Sequence, residues 1–179
     1  MTWSGRYNLV TAIYFNSRGF AFAIFEGELA PQDWGVVEAR GKQKHEKIIA
    51  RVDGLLGRYR PDVLVLQNMS EASAHRPHRI RQLNEAITEL AEQCGLRVVF
   101  LSRERVRQCF AYLQTVTKDT IAEAIAKHIP AFERFLPVPR KPWQSEDARM
   151  GIFDAAALAL VFFQSNGQLS QSNGEPIVV

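Results

Sequence analysis

The chain has 179 residues, of which 46% are hydrophobic and 23% are charged, with a formal net charge of +3. These totals are typical of one globular domain with a full core, and the mild positive charge permits a polyanionic partner without requiring one. Cys94 and Cys109 are the only cysteines, and no pattern pairs Cys with His, which excludes a disulfide framework and a zinc module. The first residues show no basic region followed by an apolar one, so we expect no signal peptide and a cytoplasmic location.

The first third of the chain predicts three strands and a helix. Residues 9–15 and 20–25 are apolar runs rich in strand formers, joined by the turn sequence Asn16-Ser17-Arg18-Gly19. Residues 33–39 predict a third strand. Apolar residues then recur at helical spacing over residues 42–59.

The middle of the chain predicts an alternation of strands and helices. Residues 63–66 are continuously apolar, as in a strand that is buried on both faces of a parallel sheet. A polar loop is expected at 69–78, a helix at 80–94, a strand at 96–101, helices at 103–113 and 117–129, and then a proline-rich bridge.

Residues 151–163 are an almost unbroken apolar run that contains one carboxylate, Asp154. The Ala and Leu content predicts a helix that is buried on nearly every face and is shorter than the ~20 residues needed to span a bilayer. An ionised carboxylate in such a helix costs several kcal/mol unless water or a partner reaches it. We therefore expect Asp154 to face a polar site. Residues 164–179, rich in Ser, Asn, Gln and Gly, are expected to be a disordered tail.

The order of these elements predicts an α/β fold. A three-stranded meander followed by strand–helix alternation gives a mixed five-stranded sheet with helices on both faces. No repeat or linker divides the chain, so residues 1–163 are expected to form a single domain.

Three polar residues lie at the ends of core elements or within them. Asn16 ends the first strand, Gln67 ends the fourth, and Asp154 lies in the last helix. Ligands of α/β sheets bind at the carboxyl ends of the strands, which makes these residues candidates for one site.

This arrangement resembles the RuvC-like Holliday-junction resolvases of the ribonuclease-H-like superfamily, over roughly residues 9–163. Ile13-Tyr-Phe-Asn-Ser-Arg-Gly-Phe-Ala21 is similar to the first strand and turn of that family, and Pro61-Asp-Val-Leu-Val-Leu-Gln67 to its fourth strand. Asp154-Ala-Ala-Ala-Leu-Ala-Leu160 resembles the Asp-Ala-Leu-Ala run of its last helix and is the most specific match. The resemblance implies carboxylates from these elements that hold two magnesium ions for phosphodiester cleavage.

The chain departs from that family pattern at three positions. Asn16 and Gln67 stand where the family has Asp and Glu, and Gly151 stands where a further Asp or His is found one turn before Asp154. An amide keeps the shape of a carboxylate but loses its charge, so Asp154 is the one expected metal ligand left from this set. We predict weak or absent magnesium binding.

Other readings of the same residues stay open. Asp147, one heptad before Asp154, would lie on the same helix face about 10 Å away, which is too far to share a metal unless the helix starts later and the chain folds back. In that case Asp147 or Glu146, beside Asp154, could supply a rearranged ligand set. Asn16 could serve only the hairpin turn, Gln67 could cap its strand, and Asp154 could pair with a single Arg or Tyr. Tyr14 projects to the same strand face as Asn16, because alternate residues do.

Basic residues follow the strand ends and suit phosphate contacts, although a solvated charged face would look the same. The candidates for nucleic-acid binding are Arg76, Arg79, Arg81, Arg105, Arg107 and Lys118.

Three functions follow from these observations. The first is a RuvC-like protein of DNA recombination that binds branched or structured DNA at a degenerate metal site, with weak or no cleavage. The second is an active magnesium-dependent, structure-specific endonuclease with a rearranged ligand set. The third is a non-catalytic assembly protein. Because the resolvases of the family are dimers, the resemblance also implies a homodimer.

Overall fold

The computed structural model describes residues 9–68 and 78–171, with side chains of the last helix as far as residue 166. The strands are β1 (Val10–Phe15), β2 (Gly19–Phe25), β3 (Pro31–Glu38), β4 (Val63–Gln67) and β5 (Arg97–Leu101). The helices are α1 (Lys44–Tyr59), α2 (His78–Gln93), α3 (Arg103–Cys109), α4 (Lys118–His128) and α5 (Met150–Gln171), with a 3₁₀ helix, η1, at Pro130–Phe135.

The five strands form one mixed sheet in the order β3-β2-β1-β4-β5. β1 pairs antiparallel with β2 and parallel with β4, and β4 pairs parallel with β5. The carboxyl ends of β1, β4 and β5 therefore meet at one edge of the sheet. This edge, called the carboxyl edge below, carries Asn16 and Gln67, as the sequence predicts.

Helices cover both faces of the sheet, which confirms the predicted fold class. On one face, α5 packs with α4 and η1 over Val10, Ala12 and Val65. On the other face, α1 and α2 pack over residues of the opposite alternation, such as Ile13 and Leu64. β1 and β4 are thus buried on both sides, and this burial explains their continuous apolar sequence.

The last helix is buried as predicted but is longer than predicted. It begins at Met150 and continues to Gln171, so the expectation of disorder from residue 164 is wrong for the first part of that segment. A helix that is already nucleated by a buried turn extends at little cost, and Asn166 donates its side-chain amide to the carbonyl of Phe162 at 3.2 Å. Residues 172–179 lie outside the part of the chain that the structure describes. Among residues 9–68 and 78–171, no helix is both long and apolar enough to cross a bilayer.

Two smaller differences concern the loops. The proline-rich bridge contains η1, which starts with a proline at its first position and buries Phe132 completely. α3 ends at Cys109, short of the predicted 113. The predicted polar loop at 69–78 lies outside the described residues except for His78, which begins α2.

Gly151 lets α5 approach the sheet closely. A Cβ built on this residue would lie 2.8 Å from the Cβ of Ala21 on β2, which is closer than real Cβ contacts come. The same Cβ would lie 3.7 Å from the side-chain nitrogen of Asn16. Glycine at position 151 thus sets how deeply the start of α5 sits at the carboxyl edge.

Replacing Gly151 by Ala should lower the free energy of unfolding by about 1–3 kcal/mol, because α5 or β2 must shift to admit the methyl group. Urea unfolding monitored by circular dichroism measures the change. Gly54→Ala is the matched control, because a Cβ at that exposed position of α1 meets no atom within 4 Å. The control should raise stability by about 0.5–1 kcal/mol. A stabilising Gly151→Ala would contradict the close packing of α5 on β2.

Candidate functional site

The centre of the site is the ammonium group of Lys118, which joins three elements. Its Nζ donates to Oε1 of Glu146 at 2.8 Å and to Oδ2 of Asp154 at 3.0 Å, and it lies 3.4 Å from the hydroxyl of Tyr14. Lys118 is the first residue of α4, whose start is fixed by a capping box between Thr117 and Thr120. The cap thus positions the lysine side chain to contact Tyr14 of β1, Asp154 of α5 and Glu146 in the segment before α5.

Charge balance keeps this lysine protonated. Burial by itself would lower the pKa of the Lys118 ammonium, but the charge of Asp154, the oxygen of Tyr14 and the hydrogen bonds to Glu146 and Asp154 together raise that pKa well above its ordinary value. The side chain of Asp154 is 16% exposed and that of Lys118 is 32% exposed, so water screens the pair only in part. At neutral pH the site therefore holds a fixed cation between two carboxylates.

Asn16 serves the hairpin turn. Its Oδ1 accepts hydrogen bonds from the backbone N–H groups of Arg18 at 2.8 Å and Gly19 at 2.9 Å. The sequence left open that Asn16 serves the hairpin turn, and these two hydrogen bonds show that it does. Tyr14, two residues earlier on the same face of β1, is the side chain that contacts Lys118.

Gln67 lies at the end of β4 and lines a cavity with Tyr14, Asp154 and Lys118. Its backbone carbonyl accepts from Nδ2 of Asn84 at 3.1 Å, which anchors the strand end to α2. Its side-chain Oε1 is buried and has no hydrogen-bond partner within the described part of the chain. Gln67 and Asp154 thus share one cavity, and Asn16 borders a neighbouring one with Tyr14 and Lys118.

Asp147 is not on the helix of Asp154, so the prediction that the two lie one heptad apart on one helix face is wrong. α5 begins at Met150, and Asp147 forms an ion pair with Arg149, whose Nη2 lies 2.6 Å from its Oδ2. The hydrogen bonds from Arg149 lower the pKa of the Asp147 carboxyl below its ordinary value. Glu146, rather than Asp147, accepts a hydrogen bond from Lys118, although both residues line the cavity that Asn16 borders.

The predicted basic residues separate into groups. Arg107, together with Arg103, lines the cavity of Gln67 and Asp154. Arg105 instead lies within 3.4 Å of Ser165, about 16 Å beyond Asp154 along α5 at about 1.5 Å per residue. Arg81 is exposed on α2, and Arg76 lies outside the described residues.

Arg79 reaches the hairpin turn, where it meets a lysine that the sequence analysis did not select. Nη2 of Arg79 and Nζ of Lys44 both donate to the carbonyl oxygen of Ser17, at 3.0 and 2.6 Å. Burial and the charge of Arg79 lower the pKa of the Lys44 ammonium. No sequence signal near Lys44, at the start of α1, marks it as a neighbour of the strand end.

The donor set does not fit the two magnesium ions that the resemblance implies. Among the described residues, no group of three His, Cys, Asp or Glu side chains could hold a metal ion. Asp154 and Glu146 both direct an oxygen at Lys118, so the ammonium stands where a metal would need to bind them. Tyr14 and Gln67 add uncharged oxygens, which are weak ligands for magnesium.

Replacing Lys118 by Met leaves two carboxylates facing each other without a cation. We expect the free energy of unfolding to fall by about 1–3 kcal/mol in urea titrations at neutral pH. Lys127→Met, at an exposed position of the same helix, is the control and should change stability by less than about 0.5 kcal/mol. The double variant Lys118→Met/Asp154→Asn should lose less than the sum of the two single losses, because the amide carries no charge to compensate. Strictly additive losses would contradict the ion pair.

Comparison with known proteins gives structural matches alone. No protein-family model matches the chain, and no curated protein matches it by sequence. Among the similar solved structures, RuvC of Thermus thermophilus is 20% identical, with a TM-score of 0.65 over 89% of this chain and 96% of that chain. The yeast mitochondrial Holliday junction resolvase Ydc2 is 13% identical, with a TM-score of 0.67 over 90% and 80% of the two chains. The fowlpox virus Holliday junction resolvase is 16% identical, with a TM-score of 0.54 over 88% and 99%. The chain therefore has the ribonuclease-H-like fold of the RuvC-type junction resolvases.

Proposed function

We propose that this protein binds branched DNA at the carboxyl edge of its sheet and does not cleave it with magnesium. The observation that carries the proposal is the ammonium of Lys118 held 3.0 Å from the carboxylate of Asp154, with Tyr14 and Gln67 as the remaining strand-end side chains. Two of the similar structures, Thermus thermophilus RuvC and the fowlpox virus resolvase, are complexes with Holliday junction DNA. Their fold makes a junction the first substrate to test.

The basic groups along the carboxyl edge support phosphate binding. Lys44 and Arg79 converge on one carbonyl oxygen, and a bound phosphate would relieve the repulsion between these two cations. Arg103 and Arg107 lie at the other side of the edge, beside the cavity of Gln67. Two separated cationic points on one edge suit a ligand with regularly spaced phosphates.

The absence of cleavage follows from charge. In a two-metal mechanism, carboxylates hold the ions that activate water and stabilise the leaving oxygen. Here Asp154 is the single carboxylate of the predicted set, and its charge is compensated by Lys118. An ammonium group can contact a phosphate but cannot activate water. A role in DNA recombination, as a cytoplasmic homodimer, is part of the same proposal.

Binding to a four-way junction should weaken steeply with salt, because phosphate contacts release counterions. Arg79→Ala and Arg107→Ala should each reduce the slope of log K against log salt by about 1 in electrophoretic shift or anisotropy titrations. Arg58→Ala is the control, because Arg58 lies in the last turn of α1 and stacks on Tyr59 at the opposite edge of the sheet. Its slope should match that of the parent protein. Failure of the parent protein to bind four-way, duplex or single-stranded DNA would instead favour a non-catalytic assembly protein.

Restoring carboxylates should restore metal binding if the site is degenerate. We expect Tyr14→Asp/Gln67→Glu in a Lys118→Met background, where no ammonium occupies the ligand oxygens, to bind manganese in calorimetry and to gain junction cleavage, because both side chains line the cavity of Asp154. Asn16→Asp/Gln67→Glu is the matched comparison, and it should gain less, because Oδ1 of residue 16 stays hydrogen-bonded to its own turn. Robust magnesium-dependent cleavage by the parent protein that is abolished by Asp154→Asn would contradict the proposal.

One observation favours the second candidate, an endonuclease with a rearranged ligand set. Glu146 and Asp154 both lie within 3.0 Å of the same lysine nitrogen, so displacement of Lys118 would leave two carboxylates side by side. If the parent protein cleaves junctions and Glu146→Gln abolishes the cleavage while Asp147→Asn does not, this second function is the correct one.

A further inference from the structure

The bridge between η1 and α5 carries an exposed turn that none of the functions above uses. Residues 138–145 are exposed throughout, and Trp143 is 78% exposed. The large ring of a tryptophan stabilises a fold or a complex only where other atoms cover it. A single exposed apolar residue indicates little by itself, so the surroundings of Trp143 decide what this turn can do.

The turn holds the tryptophan on a rigid frame. The backbone N–H of Gln144 donates to the carbonyl of Lys141 at 3.0 Å, which closes a four-residue turn with Pro142 and Trp143 at its tip. The side chain of Gln144 accepts from the backbone N–H of Lys141 at 3.0 Å, and its backbone carbonyl accepts from Nη1 of Arg140 at 2.9 Å. Because the frame is already ordered, a partner that contacts the ring loses little affinity to ordering the chain.

Two cations accompany the ring. Nζ of Lys141 lies 5.4 Å from the centroid of the Trp143 ring, and Arg140 is exposed next to it in the chain. Residues 137–145 hold these two cations and no acid, which gives a net charge of +2. Within the described part of the chain, no carboxylate forms a salt bridge with either cation. This charge favours an anionic partner over a neutral apolar one.

The turn lies next to the carboxyl edge. Pro137 and Arg140 line a small cavity together with Lys118 and Glu146, which belong to the site described above. A nucleic-acid strand that leaves the carboxyl edge on this side therefore meets the cations of the turn. The partner that combines flat apolar faces with regularly spaced negative charges is a nucleic acid whose bases are unpaired.

We propose that this turn binds single-stranded DNA, with one unpaired base stacked on Trp143 and the flanking phosphates on Arg140 and Lys141. Aromatic rings beside cations hold single strands without regard to sequence, since every base has a flat face and every nucleotide has a phosphate. In a duplex the bases stack on one another, so an unpaired base is the accessible one. The contact goes beyond the proposed junction binding, because it needs neither a branch point nor the cavity of Gln67.

The test compares two single strands that differ only in their bases. One is an oligothymidylate of about 12 nucleotides, within the ~4–16 nucleotides that single-strand sites cover, and the other is an abasic strand of the same length. We expect the parent protein to bind the oligothymidylate about 10-fold more tightly in anisotropy titrations, because stacking of one base contributes about that factor. Tryptophan fluorescence should fall on binding of the oligothymidylate, since the base covers the ring of Trp143.

Variants of the turn separate stacking from other contacts. Trp143→Ala should bind both strands equally, whereas Trp143→Phe, which keeps an aromatic face, should retain most of the preference. Val138→Ala is the matched control, because Val138 is 81% exposed on the same bridge but has no flat face. The control should keep the preference of the parent protein. Arg140→Gln and Lys141→Gln should each reduce the slope of log K against log salt by about 0.7.

The outcomes distinguish this inference from the proposed function. Equal affinity of the parent protein for the two strands, or an unchanged preference in Trp143→Ala, would overturn the turn as a binding surface. A loss in Val138→Ala as large as that in Trp143→Ala would also overturn it, because apolar contact and not stacking would then be responsible. Absence of binding to a fully paired four-way junction would overturn the proposed function, while the single-strand titrations alone decide the role of Trp143.

Discussion

The contact between the ammonium of Lys118 and the carboxylate of Asp154 determines what the carboxyl edge can do. Asp154 lies in a helix whose neighbouring residues are almost all apolar, where an unpaired charge would be costly. A lysine from α4 forms an ion pair with this carboxylate, in place of a metal or bulk water. The same contact therefore compensates the charge of Asp154 and occupies the Oδ2 oxygen that a metal would need.

The surrounding elements hold this pair in place. The parallel pairing of β1 with β4 brings Tyr14 and Gln67 to the same side of the sheet, and the glycine at 151 seats α5 close to β2. The capping box at Thr117 aims Lys118 from the opposite direction. The result is an edge whose central carboxylates, Glu146 and Asp154, are both paired with Lys118 and whose flanks are cationic, which differs from the open carboxylates that metal-dependent cleavage requires.

Sequence reasoning could predict the sheet and its helices, because strand and helix periods are strong signals in buried elements. It also selected Asp154, because one carboxylate in an apolar run has a high cost. It could not choose between Tyr14 and Asn16, since alternate residues of a strand share a face and the choice depends on which side chain the turn uses. No cap residue in the sequence marks the start of α5 at Met150, and the position of that start decides whether Glu146 or Asp147 contacts Lys118. The sequence therefore selects both carboxylates.

The contact between Gly151 and Ala21 also limits how this chain can change over generations. Any side chain at 151 would meet the methyl group of Ala21, so an acid could be accommodated there only if α5 or β2 shifted or residue 21 became smaller. Residues 21 and 151 are therefore coupled, whereas a looser contact would let each change independently. Close packing at one turn of a helix thus restricts which side chains any descendant of this chain can accept beside Asn16.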